Sequence, residues 1–240
     1  MKIEIKKNYK QFWGIVKLIK DVNYESTINF YKDRVFINIL DQSKVMLVNI
    51  TINKKFFDVY DVKKDISFDV DFEIVGRIIN SMKKGFSMEE REDELVFRTP
   101  GVRRAVKKYV VEKKEREDLP TNHNYYCEVN VDNFLKELGI ILEVGQIMRI
   151  TCDKTSFNMF SKRSMETVDI ESKVVKYIKG DKKVIWLGSG YIGKLKNLQS
   201  IFSDVKFGID DEHPFYIEGK TDNVEIKCWI APRIEGDEND

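Results

Sequence analysis

Lys113-Lys114-Glu115-Arg116-Glu117-Asp118-Leu119-Pro120-Thr121-Asn122 decides how this chain divides. Six consecutive charged residues followed by a polar, proline-containing step have the composition of a linker. The same pattern runs on both sides of it. Before it, period-two alternation marks strands at Lys2 to Lys7, Thr27 to Tyr31, Val35 to Leu40, Val45 to Ile52 and Ile66 to Val70. Two more follow at Glu94 to Arg98 and Val102 to Val111. Helical spacing appears at Asn8 to Val22, with Phe12, Ile15, Val16 and Ile19 on one face, and at Phe72 to Met82. After it the order restarts: a strand at Tyr125 to Val131, a helix at Asp132 to Val144, further strands, and a fourth helix near Tyr191 to Phe202.

The restart has the form of an internal repeat. A shift of 122 residues carries Phe12 onto Phe134, Val22 onto Val144 and Ile28 onto Ile150. It also carries Lys32 onto Lys154, Val35 onto Phe157 and Ile37 onto Met159. A shift of 117 lays Val75-Gly76-Arg77-Ile78 on Ile192-Gly193-Lys194-Leu195. The expected architecture is α+β: two similar domains, each with antiparallel sheets backed by two helices. The boundaries are 1–111, a connector at 112–122, a second domain at 123–235 and an acidic tail at 236–240.

Composition narrows the function. The 240 residues carry 41 Lys and Arg against 40 Asp and Glu, a net charge of +1. A wholly basic surface for nucleic acid is excluded, so any such contact needs a local basic face. Hydrophobic residues at 42% supply a sizeable core beside 34% charged residues. No apolar run approaches the ~18 residues of a membrane span, and Met1 to Lys7 lacks the apolar centre of a signal peptide. Cys127, Cys152 and Cys228 are odd in number and far apart, which fits a reducing compartment better than a disulfide framework.

The sharpest isolated motif is Gly188-Ser189-Gly190-Tyr191-Ile192-Gly193-Lys194-Leu195, after the apolar Val184-Ile185-Trp186-Leu187. It fits G-x-G-x-x-G and most of a phosphate loop. Leu195 stands where a phosphate loop needs a hydroxyl for magnesium, and 45 residues after it are too few to complete a nucleotide fold. A nucleotide-dependent enzyme using Gly188 to Lys194 is thus the competing reading from another class; the favoured one is a strand-to-helix turn in which glycine supplies unusual dihedrals. His123 reads as solvated in the linker and His213 as part of a hairpin tip. Cys152 and Cys228 read as small core residues, and Glu89 to Glu94 as a solvated turn. No catalytic residues, metal ligands or cofactor site emerge, so a binding or scaffold protein is expected and not an enzyme.

Several stretches carry a resemblance. Cys228-Trp229-Ile230-Ala231-Pro232-Arg233-Ile234-Glu235 resembles the ending of the sliding clamp family, proliferating cell nuclear antigen, of the archaeal and eukaryotic type. Leu40-Asp41-Gln42-Ser43-Lys44-Val45-Met46-Leu47 is similar to the clamp's D-x-S-x-V segment, and Phe56-Phe57-Asp58-Val59-Tyr60 to its F-x-x-Y stretch. Leu119-Pro120 resembles the end of the interdomain connector, and Tyr126-Cys127 and Ile150-Thr151-Cys152 fall on similar strands. The resemblance spans essentially the whole chain in order. It implies a ring of three subunits around duplex DNA, helices lining the hole and sheets forming the wall. It implies a polymerase processivity factor that also recruits repair enzymes.

On that resemblance, Lys10, Lys17, Lys20, Arg77, Lys83, Lys84, Lys136, Lys194 and Lys196 are the expected contacts to DNA phosphates, which need no base readout. The third helix departs from the pattern: Lys136 stands among Asp132, Glu137 and Glu143. Ring closure is expected where a basic edge near Pro100 to Lys108, with Arg103, Arg104, Lys107 and Lys108, meets an acidic one near Arg163 to Ile170. That second edge carries Glu166 and Asp169, with Glu171 next. Partner proteins of the family carry a Gln, an aliphatic residue and two aromatics (the PIP box). The pocket for them maps to Leu40, Ser43, Lys44, Val45, Leu47, Leu119, Pro120, Trp229, Ala231 and Pro232, with Trp229 expected to narrow it. Expected partners are replicative polymerase, flap endonuclease, DNA ligase and clamp loader, with no membrane. The expected location is intracellular: cytoplasm or nucleoid for an archaeal or viral source, the nucleus for a eukaryotic one. A specialised viral or checkpoint-type clamp keeps the fold and changes the partners.

Overall fold

The computed structural model describes residues 1–111, 118–211 and 213–233. Residues 112–117 of the linker, Glu212 and residues 234–240 lie outside the described residues. The chain forms two compact units. Residues 1–42, 48–111 and 220–226 belong to the first; 43–47, 118–219 and 227–233 belong to the second.

The first unit runs β1 (Lys2–Ile5), α1 (Tyr9–Val22), β2 (Glu25–Phe30), β3 (Arg34–Leu40), β4 (Met46–Asn53), β5 (Val59–Asp61) and β6 (Ile66–Asp71). It continues with α2 (Phe72–Asn80), β7 (Phe86–Glu90), β8 (Glu94–Thr99), β9 (Val102–Lys107) and β10 (Tyr109–Val110). One sheet has the order β5-β1-β7-β8-β9; a second runs β10-β6-β2-β3-β4. The other unit runs β11 (Tyr125–Asn130), α3 (Val131–Val144), β12 (Ile147–Cys152), β13 (Ser156–Arg163), β14 (Glu166–Lys173), β15 (Lys176–Lys179) and β16 (Lys183–Gly188). Then come α4 (Ser189–Gly193), a 3-10 turn over Lys194–Ser200, β17 (Asp204–Ile209), β18 (Phe215–Lys220) and β19 (Val224–Ile230), with Met46 and Leu47 of β4 counted in this unit and Lys220 of β18 and 224–226 of β19 in the first. Its sheets have the orders β15-β11-β17-β18-β19 and β14-β13-β12-β16.

Apart from β10, which has no counterpart in the second unit, these are one design used twice, and the repeat reaches the level of register. Ile28 pairs with Ile37 and Phe30 with Val35 in the first unit. The equivalents 122 residues on, Ile150 with Met159 and Cys152 with Phe157, pair in the second. A one-residue slip would turn every buried side chain outward, so the buried alternation along β3 and β13 fixes this register.

Helix starts follow from local chemistry. Asp71 accepts from the amides of Glu73 and Ile74 at the head of α2, and Asn130 accepts from the Asn133 amide at the head of α3. A glycine stands where the helices cross in each unit. A Cβ on Gly76 would lie 3.8 Å from the Trp13 ring of α1, and one on Gly193 would lie 3.3 Å from Leu142 of α3. The recurring Gly-basic pair is therefore a helix-crossing feature present in both units.

The structure corrects several expectations. Val102 to Val111 is two strands in different sheets, because at Lys108 the amide donates to Asp93 and the side chain turns inward to Glu90. Strands β5 and β7 escaped the alternation reading. The run Glu89 to Glu94 holds the end of β7 and the start of β8, with only Arg91 to Asp93 as its turn. The fourth helix is one α-turn continued as 3-10. Ile192, Leu195, Leu198 and Ile201 are all buried and recur every three residues, the period of a 3-10 helix and not of an α-helix. His123 is fully buried, against the expectation of a solvated linker residue.

Phe207 anchors the second core, with ring centroids 5.1 Å from Phe134, 5.4 Å from Phe157 and 5.1 Å from Phe215. Phe207→Ala should cost about 3–5 kcal/mol, since the aromatic cage cannot collapse into the void; urea denaturation followed by tryptophan fluorescence measures it.

Candidate functional site

In the first unit the structure gathers lysines that lie far apart in sequence. Gly85 has a positive φ of 101°, and a Cβ there would sit 2.4 Å from the Ile5 carbonyl oxygen. Only glycine lets the turn after α2 lie against the end of β1. That approach brings Lys83 and Lys84 beside Lys6, Lys7 and Lys10 around a depression of about 280 Å³. Lys6 and Lys7 escape a reading of the sequence, where they look like the tail of a strand. Their amides donate to the Asp58 carboxylate, which fixes the chain between β1 and α1. Lys17 lies 5.8 Å from the Trp13 ring centroid, and Lys20 pairs with Glu73 of α2 at 3.5 Å. Arg77 is exposed on α2.

The second unit is less basic on its helices. Lys136 is exposed on α3, but its exposed neighbours are Asp132, Ile140, Leu142 and Glu143. Lys196 is exposed, while Lys194 is half-buried with its Nζ 5.3 Å from the Tyr191 ring centroid.

The residues mapped to a partner pocket separate into two layers. Ser43, Lys44, Leu119, Pro120, Ala231 and Pro232 are exposed, and Leu40 and Val45 are half-buried. Leu47 is buried and Trp229 is 1% exposed. Trp229 therefore does not narrow an open pocket from its wall, against the expectation from its size. It lies beneath, and its indole N–H donates to the Pro120 carbonyl at 3.2 Å. Lys44 adopts a left-handed backbone, φ 59°, and the Val45 carbonyl accepts from the Ala231 amide at 2.9 Å. These bonds bring Val45, Pro120, Trp229 and Ala231 together; Leu40 belongs to the other unit.

The described end of the connector is tied down along its length. Asp118 pairs with Lys227 at 2.8 Å, and the Asn124 amide donates to Asp210 at 2.9 Å. His123 stacks on Tyr216 with a 16° interplanar angle, and its Nε2 lies 2.8 Å from the Pro214 carbonyl. Tyr216 in turn lies 5.5 Å from Trp229. The signal for this stack was the aromatic content of β18 and β19, which no local pattern connects to His123.

Both expected edges end their own sheets. On β9, Arg104 and Lys107 are exposed and Arg103 pairs with Glu94 at 3.1 Å. Lys108 is a correction: it is 6% exposed and paired with Glu90, so it offers no charge to a neighbour. On β14, Glu166, Asp169 and Glu171 are exposed. The glycine motif opens α4, and Leu195 is fully buried where a phosphate loop would present its hydroxyl. Among the described residues no group of three or more His, Cys, Asp and Glu could hold a metal ion. Burial pushes the Cys228 thiol well above its ordinary value, which makes it inert.

Trp229→Phe keeps most of the packing and removes the bond to Pro120, so it should cost about 1 kcal/mol. It should also speed proteolytic cleavage around 118–122 relative to sites in the cores. Equal cleavage rates in both proteins would show that the indole does not hold the connector.

The comparisons with known proteins agree with this architecture. The family model described as proliferating cell nuclear antigen, N-terminal domain, matches residues 7–134. The DNA polymerase sliding clamp 2 of Sulfurisphaera tokodaii is 22% identical over 240 residues, covering 94% of this chain and 96% of that protein. The DNA polymerase sliding clamp 2 of Sulfurisphaera ohwakuensis is 21% identical over the same shares. The crystal structure of a PCNA2–PCNA3 complex from Sulfolobus tokodaii superposes with a TM-score of 0.86 at 16% identity, covering 97% of this chain and 99% of that one. That of the Entamoeba histolytica proliferating cellular nuclear antigen superposes at 0.88 and 15% identity, covering 97% and 98%. With the family model matching more than half of its length, the chain belongs to the proliferating cell nuclear antigen family.

Proposed function

We propose that the chain is a DNA sliding clamp: a non-catalytic processivity factor that encircles duplex DNA and tethers polymerase, flap endonuclease and DNA ligase to it after a clamp loader closes the ring. Its domains are 1–111 and 123–235, joined by the connector 112–122. It acts inside the cell, wherever the DNA it encircles is kept. The observation that carries the reading is the twice-used α+β unit, with lysines gathered at Lys6, Lys7, Lys10, Lys83 and Lys84 beside its helices. Scattered lysines on rigid elements attract phosphates without reading bases, which suits a protein that must hold DNA and slide. Lys17, Lys20 and Arg77 join them in the first unit; Lys136, Lys194 and Lys196 are the phosphate contacts of the second, weakly on α3. Partner peptides dock over Val45, Leu119, Pro120, Ala231 and Pro232, on the floor that Trp229 supports.

Closure joins the basic β9 of one subunit to the acidic β14 of the next, a head-to-tail contact that closes into a ring when the rotation fits. A homotrimer of 28.3 kDa chains gives about 85 kDa by light scattering. A second reading is favoured by the structural neighbour solved as a complex of PCNA2 with PCNA3: this chain closes only with sister subunits. It predicts a monomer or dimer when the chain is alone, and assembly on mixing with the sisters.

In the trimer, Arg104→Glu with Lys107→Glu should shift the mass toward the monomer. Lys10→Ala, Lys83→Ala and Lys84→Ala together should weaken DNA binding. They should also flatten the plot of log affinity against log salt by about 0.9 for each phosphate no longer neutralised. Unchanged affinity and slope across a salt titration would place the DNA-binding surface elsewhere.

A further inference from the structure

A cleft of about 570 Å³ opens in the second unit between the C-terminal end of α3, the end of β13, the start of α4 and the residues after β19. Arg163, Lys194 and Arg233 line it, against Glu143 as the one carboxylate among its lining residues. Neither Arg163 nor Arg233 forms an ion pair with any described residue. In a chain of near-neutral total charge this is a local concentration of positive potential within concave walls, which focus the field.

The cleft is built, not incidental. The Ser189 hydroxyl donates to the Gly145 carbonyl at 2.7 Å and the Ser189 amide donates to that of Gln146 at 2.9 Å, which fixes the turn against α3. The Arg233 amide donates to the Trp186 carbonyl at 2.8 Å. A Cβ on Gly188 would lie 2.9 Å from the Tyr191 ring and 3.9 Å from Arg233 Nε. The absent side chain lets both lie over the turn, so Gly188 serves the cleft's shape.

Arg233 directly follows Ala231 and Pro232, which the proposed peptide surface uses. A peptide extended over those residues advances about 3.3–3.6 Å per residue, so the residues that flank the docked motif are the ones that pass Arg233. We infer that this cleft takes the carboxylate of an acidic residue flanking the docking motif of a partner peptide. Arg163 and Arg233 supply fork-shaped donors that match a carboxylate. The inference rests on the peptide-docking reading above.

Fluorescence anisotropy on the full chain tests it, with three peptides that share the Gln-aliphatic-aromatic-aromatic motif and carry neutral, N-terminal acidic or C-terminal acidic flanks. One acidic flank should tighten binding about five- to tenfold at low salt, and the gain should shrink as salt rises. In Arg163→Ala/Arg233→Ala the gain should vanish while the neutral peptide binds as before, whatever the solution mass, because Arg163 opens the edge expected to close the ring. In Arg233→Glu the preference should move to a lysine flank. Neutral binding with no gain from either acidic flank overturns this inference and leaves peptide docking standing. No binding of any peptide overturns both. Inorganic phosphate, ATP or duplex DNA bound by the wild type and released in the double variant, with no gain from an acidic flank, assigns the cleft to a different anion and overturns it too.

Discussion

How closely two helices lie on a small sheet is set by the side chains that stand where they cross. Gly76 meets the Trp13 ring and Gly193 meets Leu142, so in each unit the second helix approaches the first to within ordinary contact of its largest neighbour. The remaining features of each unit depend on that approach. It lets α1 and α2 share one apolar seam, with Ile15, Ile19, Val75 and Ile79 buried. It places Lys20 within reach of Glu73. Basic side chains on these helices are a by-product of a packing solution whose apolar side is already spoken for.

The connector shows how a charged, proline-bearing segment acquires a fixed path without a core of its own. Its described part is held by several different forces: an ion pair at Asp118, an indole hydrogen bond at Pro120, ring stacking at His123, an amide-to-carboxylate bond at Asn124. Individually these are modest. Together they pin the chain against β18 and β19, where Tyr216 and Trp229 are buried and cannot shift. The surface that partners would use is therefore underpinned by rigid aromatic residues, not by the connector itself.

Much of this was legible in the sequence because it is periodic. The 122-residue shift lays Ile28 and Ile37 on Ile150 and Met159, and those are paired across strands in both units. Burial on alternate residues forces such regularity. What was not legible depends on turns and on distant neighbours. Lys6 and Lys7 join Lys83 and Lys84 only because Gly85 bends back on Ile5, and a glycine in a sequence does not announce its partner. Lys108 interrupts a strand pattern from within, since its alternation is intact while its side chain turns to Glu90. Trp229, mapped by resemblance to a pocket it would narrow, and His123, read as a solvated linker residue, are both buried by neighbours in space. The three-residue spacing of Ile192, Leu195, Leu198 and Ile201 was present to be read, and an α-helical template obscured it.

The strands β9 and β14 each end a sheet with one flank of backbone donors and acceptors unused by their own unit. Such a flank will accept any extended chain, including an identical copy or a nascent segment, and misassembly is the common outcome for a protein that leaves it bare. Their opposite charges act here as a guard. Arg104 and Lys107 repel a second β9, Glu166, Asp169 and Glu171 repel a second β14, and only the unlike pairing is left without a penalty. An unassembled chain is thus protected by repulsion for as long as ionic strength is low. Newly made copies of this chain are consequently most exposed to aggregation in concentrated salt.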